Sequence, residues 1–278
     1  MKFLRETFIY LKKAFWVAII VALLPAILFA VFLKPVNILT FLPSYYNTFI
    51  TGAGDIFSLL FKDFKWDSLL IYPLLLLVMQ IYYSVSLAMI EKHMRTGKLT
   101  AKKLMYDLNN NFISTFATLL FFVIVYILIS ILLSSLLTLL HTIISPKVQP
   151  KMIECIYATI LAFIAFVVLI RSIIDILFWG PVMQVYGYSF KDAIIETSHI
   201  TDKNTFSIFI GIFVPYLIAA LIVILVNYIP VNGAIRSILE FSTNLVIYVT
   251  LLLYMPAFIM NTLFEVTELE RRDKFKLY

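Results

Sequence analysis

Two charged residues, Arg171 and Asp175, lie well inside an apolar stretch, and they are the strongest candidates for chemistry in this sequence. An Arg or Asp at the centre of a membrane helix costs about 2.5 to 3.5 kcal/mol even on insertion scales, so each is a functional hypothesis by default. Because the two are four residues apart, they share one face of a helix and can pair with each other, which lowers that cost.

Three interpretations of this pair are open. One is a structural ion pair that faces the helix bundle or reaches the membrane interface. The second is a polar site for an anionic lipid or substrate headgroup, with Arg171 as the binding group and Asp175 orienting it. The third is a proton relay, although no chain of further acidic residues accompanies the pair.

Other kinds of chemistry lack the residues that they need. His93, His141 and His199 are far apart without metal-ligand spacing, and Cys155 is the single cysteine, so no metal site is predicted. The sequence has none of the short motifs that mark a catalytic serine, a phosphate-binding loop or a dinucleotide site. We therefore predict no catalytic residue and no cofactor.

The composition indicates the surroundings of these residues. Of 278 residues, 62% are hydrophobic and 14% are charged, with a mean hydropathy of +0.99, whereas soluble domains are about 45 to 50% apolar and about 25% charged. The chain is therefore predicted to be an integral membrane protein. The net charge is +6. The basic residues that flank the apolar segments are expected to contact anionic lipid headgroups, and no nucleic-acid binding is predicted.

Six apolar segments are long enough to cross a bilayer core as helices, which takes about 20 residues. The segments are 14–33, 68–90, 112–140, 153–179, 206–228 and 238–264. Because lipid offers no hydrogen-bond partner to a free backbone group, we expect an all-α fold in a single membrane domain, 1–278. Polar residues inside the spans, such as Gln80 and Asn261, are expected to form hydrogen bonds between helices.

The distribution of Lys and Arg predicts the orientation. The segments that would face one side of the membrane hold 15 of these residues, and those that would face the other side hold 6. The positive-inside rule then places both termini in the cytoplasm, and the plasma membrane of a bacterium is the expected location.

A weak internal repeat organises the spans. When the sequence is shifted by 190 residues, Thr7 aligns with Thr197 and Pro25 aligns with Pro215. Each predicted unit contains an amphipathic helix, a span, an outer loop and a returning span. The three units would cover about 1–90, 97–180 and 188–265, followed by a short cytoplasmic tail at 266–278. This tail is expected to be solvated, and docking to a soluble partner is the alternative.

Each unit begins with an amphipathic helix that is expected to lie in the headgroup region, with its basic side toward anionic lipid. In the first helix, and again at 100–112, apolar residues follow a helical spacing on one face. The residues predicted to form these interfacial faces are Phe3, Leu4, Phe8, Leu11, Phe15, Leu104, Met105, Leu108 and Phe112. The third such helix is predicted to begin at Ser189.

The junctions between these helices and the spans share a short pattern. A basic or amide residue shortly precedes a phenylalanine in Lys13-Ala14-Phe15-Trp16, Asn110-Asn111-Phe112 and Lys203-Asn204-Thr205-Phe206. With three such units in six spans, the sequence resembles a group of bacterial membrane proteins of undefined function and the membrane domain of glycerophosphodiester phosphodiesterases. In those phosphodiesterases the chemistry belongs to a separate soluble domain, so the resemblance implies a fold and no catalytic residue.

These observations favour a non-enzymatic integral membrane protein that serves as a transport-related subunit or a membrane accessory factor. Its expected partners are membrane lipids and a membrane or cytoplasmic protein that docks on the interfacial helices. Two alternatives stay open. One is a membrane-embedded enzyme acting on lipid or isoprenoid substrates, and the other is a transporter that works alone.

Overall fold

The fold is all α-helical over the residues that the structure, a computed structural model, describes. These residues are 2–33, 71–98, 112–125, single positions between 127 and 135, 151–231 and 233–272. No β-strand occurs in these ranges, which confirms the all-α prediction for this part of the chain.

The helices have the length and apolar character of a membrane protein. In chain order they are α1 Lys2–Phe32, α2 Ile71–Thr96, α3 Phe112–Val125, α4 Lys151–Tyr186, α5 Phe190–Asp202, α6 Thr205–Asn227 and α7 Ala234–Val266. Helices α2, α6 and α7 are each long and apolar enough to cross a membrane, and α1 is a fourth if its two segments count as one span.

The chain forms two compact units. The first comprises 1–35, 70–119 and 174–278, and it holds α1, α2, α5, α6, α7, the beginning of α3 and the end of α4. The second comprises 36–69 and 120–173, of which the structure describes helical parts of α3 and α4. The assignment of the whole chain to one domain stays a prediction.

Helix α1 contains a sharp bend between a charged segment and an apolar segment. The segments Lys2–Ala14 and Ala18–Phe32 lie at 103° to each other. The bend follows Lys12 and Lys13, where the sequence changes from an amphipathic pattern to an apolar run. The bend therefore lies where the predicted interfacial helix gives way to the first predicted span.

The core of the first unit forms where the second segment of α1 meets α2 and α7. Ala22 and Ala26 are fully buried there, because small side chains allow helix backbones to approach closely in a membrane. They pack in one cluster with Tyr82 and Leu252, and the Tyr82 hydroxyl donates a hydrogen bond to the Leu252 carbonyl. A tyrosine inside an apolar core is thus satisfied by a backbone acceptor.

Helices α6 and α7 meet at a glycine. The Tyr254 hydroxyl donates to the Gly211 carbonyl at 2.8 Å, and a methyl group added to Gly211 would collide with the Phe258 ring. The Tyr254 ring lies 5.7 Å from the Phe8 ring of α1, measured between centroids. The missing side chain at Gly211 is therefore what lets α7 pack this closely against α6.

Helices α2 and α4 end in the same conformation. Gly97 and Gly187 follow them, both at φ +67°, where a residue with a Cβ is strained. Their N–H groups bond to the carbonyls of His93 and Met183 at 2.8 and 2.9 Å. Helix α5 then begins with Ser189 as its N-cap, as the sequence predicts.

Candidate functional site

A cluster of polar side chains lies where the start of α1 meets the end of α7. Lys2 Nζ lies 3.2 Å from a Glu265 carboxylate oxygen. The Asn261 amide N–H₂ donates to the Phe3 carbonyl and to Thr7 Oγ1, both at 3.5 Å. We call these residues, together with Arg271 of the tail that follows α7, the polar junction.

The chain leaves α7 through a Schellman-type turn. Glu268 has a left-handed φ of +53°, and the Leu269 N–H bonds to the Phe264 carbonyl at 3.1 Å, as that motif requires. The tail then returns to the helices, where the Arg272 N–H donates to the Met94 carbonyl at 2.8 Å. One of the unpaired carbonyls at the end of α2 is thereby satisfied.

Arg271 is the side chain that holds the tail in the polar junction. It is only 7% exposed, and it donates hydrogen bonds to the Asn261 amide oxygen and, at 3.4 Å, to Glu265. A buried guanidinium is tolerated only when acceptors compensate for its lost hydration. The prediction that 266–278 is a solvated tail is therefore wrong at Arg271, because Asn261 and Glu265 supply these acceptors.

The ends of α2 and α4 are linked beside the polar junction. Glu91 pairs with Arg95 at 2.9 Å and accepts a hydrogen bond from Gln184 at 2.6 Å. Arg95 also donates to the Val185 carbonyl at 3.0 Å, and its guanidinium lies 5.8 Å from the centre of the Phe264 ring on α7. The ends of three helices are thus tied together by charges at one end of the unit.

The first segment of α1 packs on this end through one face. Phe3, Thr7, Tyr10 and Ala14 are buried, a spacing of three or four residues that marks one side of a helix. The Tyr10 hydroxyl lies 3.0 Å from His93 Nδ1 on α2. His93 therefore has a structural partner and is part of the packing of α1.

Of the predicted interfacial residues, Leu4, Phe8 and Leu11 lie beside this buried face of α1. Phe8 is 47% exposed, Leu4 and Leu11 are half-buried, and Phe112 at the start of α3 is exposed. Phe3, by contrast, is buried against protein. The side chain of Phe15, together with Leu104, Met105 and Leu108, lies outside the described residues.

Arg171 and Asp175 lie one turn apart on α4, and the structure adds a third residue that the sequence did not indicate. Thr201 Oγ1 on α5 donates to Asp175 Oδ1 at 2.7 Å, and Thr201 is fully buried. Asp175 therefore anchors the amphipathic helix α5 to α4. The binding role predicted for Arg171 and Asp175 stays a prediction.

Polar residues of the spans form the predicted bonds between helices at two positions. Gln80 Nε2 on α2 donates to the Phe112 carbonyl and to Thr115 Oγ1 of α3, both at 2.6 Å. Asn261 makes the contacts described above. Thr250 and Ser86 instead donate to carbonyls of their own helices.

The charged groups of the polar junction contact one another, since Lys2 and Arg271 both pair with Glu265, and Arg271 also donates to the Asn261 amide oxygen. In the part of the chain that the structure describes, no group of three or more His, Cys, Asp or Glu could hold a metal ion. An open cleft of about 570 Å³ is lined by residues of α3, by the end of α4 and by the chain that leads into α5.

Comparison with known proteins gives no further assignment. The sequence matches no known protein family, and neither a curated protein nor a solved structure matches the chain.

Proposed function

We propose that this chain is a non-enzymatic integral membrane protein that acts as a membrane accessory factor or a transport-related subunit. Its amphipathic helices would form the docking surface for a protein partner. One observation carries the proposal: the first segment of α1 and helix α5 are each anchored by one face and leave charged residues exposed on the other.

The first segment of α1 is the clearer example. Thr7 and Tyr10 fix it to the ends of α7 and α2, while Arg5, Lys12 and Lys13 are exposed. A helix whose position is fixed by the protein core can present these charges without losing much conformational freedom on binding. This preorganisation supports a role in docking.

Helix α5 has the same arrangement. Ala193, Thr197 and Ile200 are buried, and each lies 190 residues after a buried residue of α1. The charged residues Lys191, Asp192 and Asp202 are exposed. The shared burial pattern supports the proposal that the two helices are equivalent parts of an internal repeat.

We extend this proposal to three repeat units and six spans in the plasma membrane of a bacterium. The equal φ of Gly97 and Gly187 at the ends of α2 and α4 supports it, because each glycine would turn the chain from a returning span into an amphipathic helix. The contact between Lys2 and Glu265 supports an arrangement with both termini on one side, the cytoplasmic side by the positive-inside rule.

The docking role can be tested by site-specific crosslinking in cells. Replacing Cys155, the single cysteine, with Ser gives a background in which one cysteine at a time carries a photoreactive group. Positions Lys13 and Lys191 report on the two helices, and Leu221, exposed on the apolar helix α6, is the control. We expect both lysine positions to crosslink to the same partner, identified by mass spectrometry, and Leu221 to crosslink only to lipid.

Two results would contradict the proposal. Crosslinking to lipid alone from all three positions would show that no protein partner docks on these helices. Transport or lipid turnover by the purified chain alone in vesicles would favour one of the two alternative functions.

A further inference from the structure

An apolar groove of about 680 Å³ lies in the bend of α1, against α7. Phe8 and Leu11 line it from the first segment of α1, and Ile19 and Leu23 line it from the second. Across from them the groove runs along α7 from Leu245 to Leu253. Because the walls come from one compact unit, the groove is part of its fold.

The groove has one charged group at its lining. Of the described lining residues, Lys12 and Thr250 carry a charge or a hydroxyl. The Thr250 hydroxyl donates to the Val246 carbonyl at 2.8 Å, so it is satisfied within its own helix. Exposed Lys12 is therefore the charged group that the described lining offers to a ligand.

The groove fits one leaflet of a bilayer. Its wall on α7 covers nine residues, 245–253, and therefore rises about 12 Å, while one leaflet of the hydrocarbon core is about 15 Å thick. Trp16, which is 79% exposed, lines the groove near Lys12. Trp is enriched at the membrane interface, which puts this end of the groove at headgroup depth.

The geometry points to an anionic phospholipid of the surrounding bilayer as the occupant. One acyl chain lies along the apolar wall, and the headgroup phosphate meets the ammonium of Lys12. A cation at one end of an apolar groove complements a lipid with an anionic headgroup and an apolar acyl chain. This inference goes beyond the docking role and does not depend on it.

Quenching of Trp16 fluorescence by brominated lipids tests this site. The chain has three Trp residues, so replacing Trp66 and Trp179 with Phe leaves Trp16 as the reporter. The protein is reconstituted in phosphatidylcholine containing a small fraction of brominated phosphatidylglycerol or, in parallel, of brominated phosphatidylcholine. We expect about fivefold preferential quenching by phosphatidylglycerol, the effect of one basic residue near anionic lipid.

Three variants in this background separate the contribution of the lipid headgroup to binding from that of the acyl chain. Lys12→Gln should abolish the preference for phosphatidylglycerol. Val246→Phe, which fills the groove at a residue 63% exposed, should reduce quenching by both lipids. Val31→Phe is the matched control, since Val31 is 57% exposed and lies outside the lining, and it should change neither.

The outcomes that overturn the inference are equally distinct. Quenching in proportion to lipid fraction, or a preference that survives Lys12→Gln, would show that no headgroup is bound there. Absence of quenching by either lipid would mean that protein covers the groove, either a second copy of the chain or another partner. A thermal unfolding curve for each variant verifies that the protein is folded.

Discussion

Replacing Arg271 with Met should release the tail from the polar junction. The substitution removes the hydrogen bonds to Asn261 and Glu265 while keeping much of the side-chain volume. Hydrogen bonds to charged groups contribute about 1.5 to 3 kcal/mol each, and breaking a buried ion pair costs about 3 to 5 kcal/mol. Because Lys2 still pairs with Glu265, we expect a loss near the lower end, about 2 to 3 kcal/mol.

Hydrogen exchange measures this loss directly. The Arg272 N–H is bonded to the Met94 carbonyl, so its exchange reports on opening of the tail. A loss of about 2 to 3 kcal/mol corresponds to exchange that is about 30- to 150-fold faster, at 1.4 kcal/mol for each factor of ten. Mass spectrometry of the peptide that contains the tail, in detergent solution, gives this ratio.

Arg272 provides the matched control. Its side chain is 64% exposed and pairs with Glu270, which is 72% exposed, an arrangement worth about 0 to 1 kcal/mol. Arg272→Met should therefore change exchange by only a few-fold. Equal effects of the two substitutions, or no effect of Arg271→Met, would refute the role assigned to the buried guanidinium.

Three further substitutions test the packing of the helices, each by thermal unfolding. Thr201→Val removes the hydrogen bond to Asp175 and should cost about 1.5 to 3 kcal/mol, whereas Thr201→Ser keeps this bond and should cost only about 1 kcal/mol for the lost buried methyl group. Gly211→Ala drives a methyl group into the Phe258 ring and should cost about 1 to 3 kcal/mol; an unchanged midpoint would show that the ring moves aside freely. In Gly187→Ala the added methyl group meets no atom within 4 Å, but the residue must keep φ at +67°. We expect this backbone strain to lower stability by about 1 to 2 kcal/mol, and a larger loss would show that another cause contributes.

Local sequence patterns predicted the helices and several of their polar contacts. Long apolar runs predict α2, α6 and α7, because an unpaired backbone group in lipid is energetically unfavourable and a helix leaves none within a span. The N-cap at Ser189 follows from side-chain chemistry within four residues. Gln80 and Asn261 were identifiable because a lone amide in an apolar helix needs a partner.

Contacts between distant residues were beyond those patterns. The helical spacing of apolar residues predicted Leu4, Phe8 and Leu11 as one face, but it could not show that the adjacent face with Thr7 would pack on protein. The packing of the face that contains Thr7 depends on Asn261, which lies 254 residues further along the chain. Likewise, nothing in the charge pattern of the tail distinguishes the buried Arg271 from the exposed Arg272.

The bond between Thr7 and Asn261 also bears on how the chain assembles. Helix α1 is synthesised long before Asn261, which lies 254 residues after Thr7. During that time Ala22 and Ala26 lack their neighbours on α7, and other helices or insertion factors could occupy the same face. The contacts of α1 with α7 therefore form only after nearly the whole chain has been made, so a chain that stops before α7 lacks them.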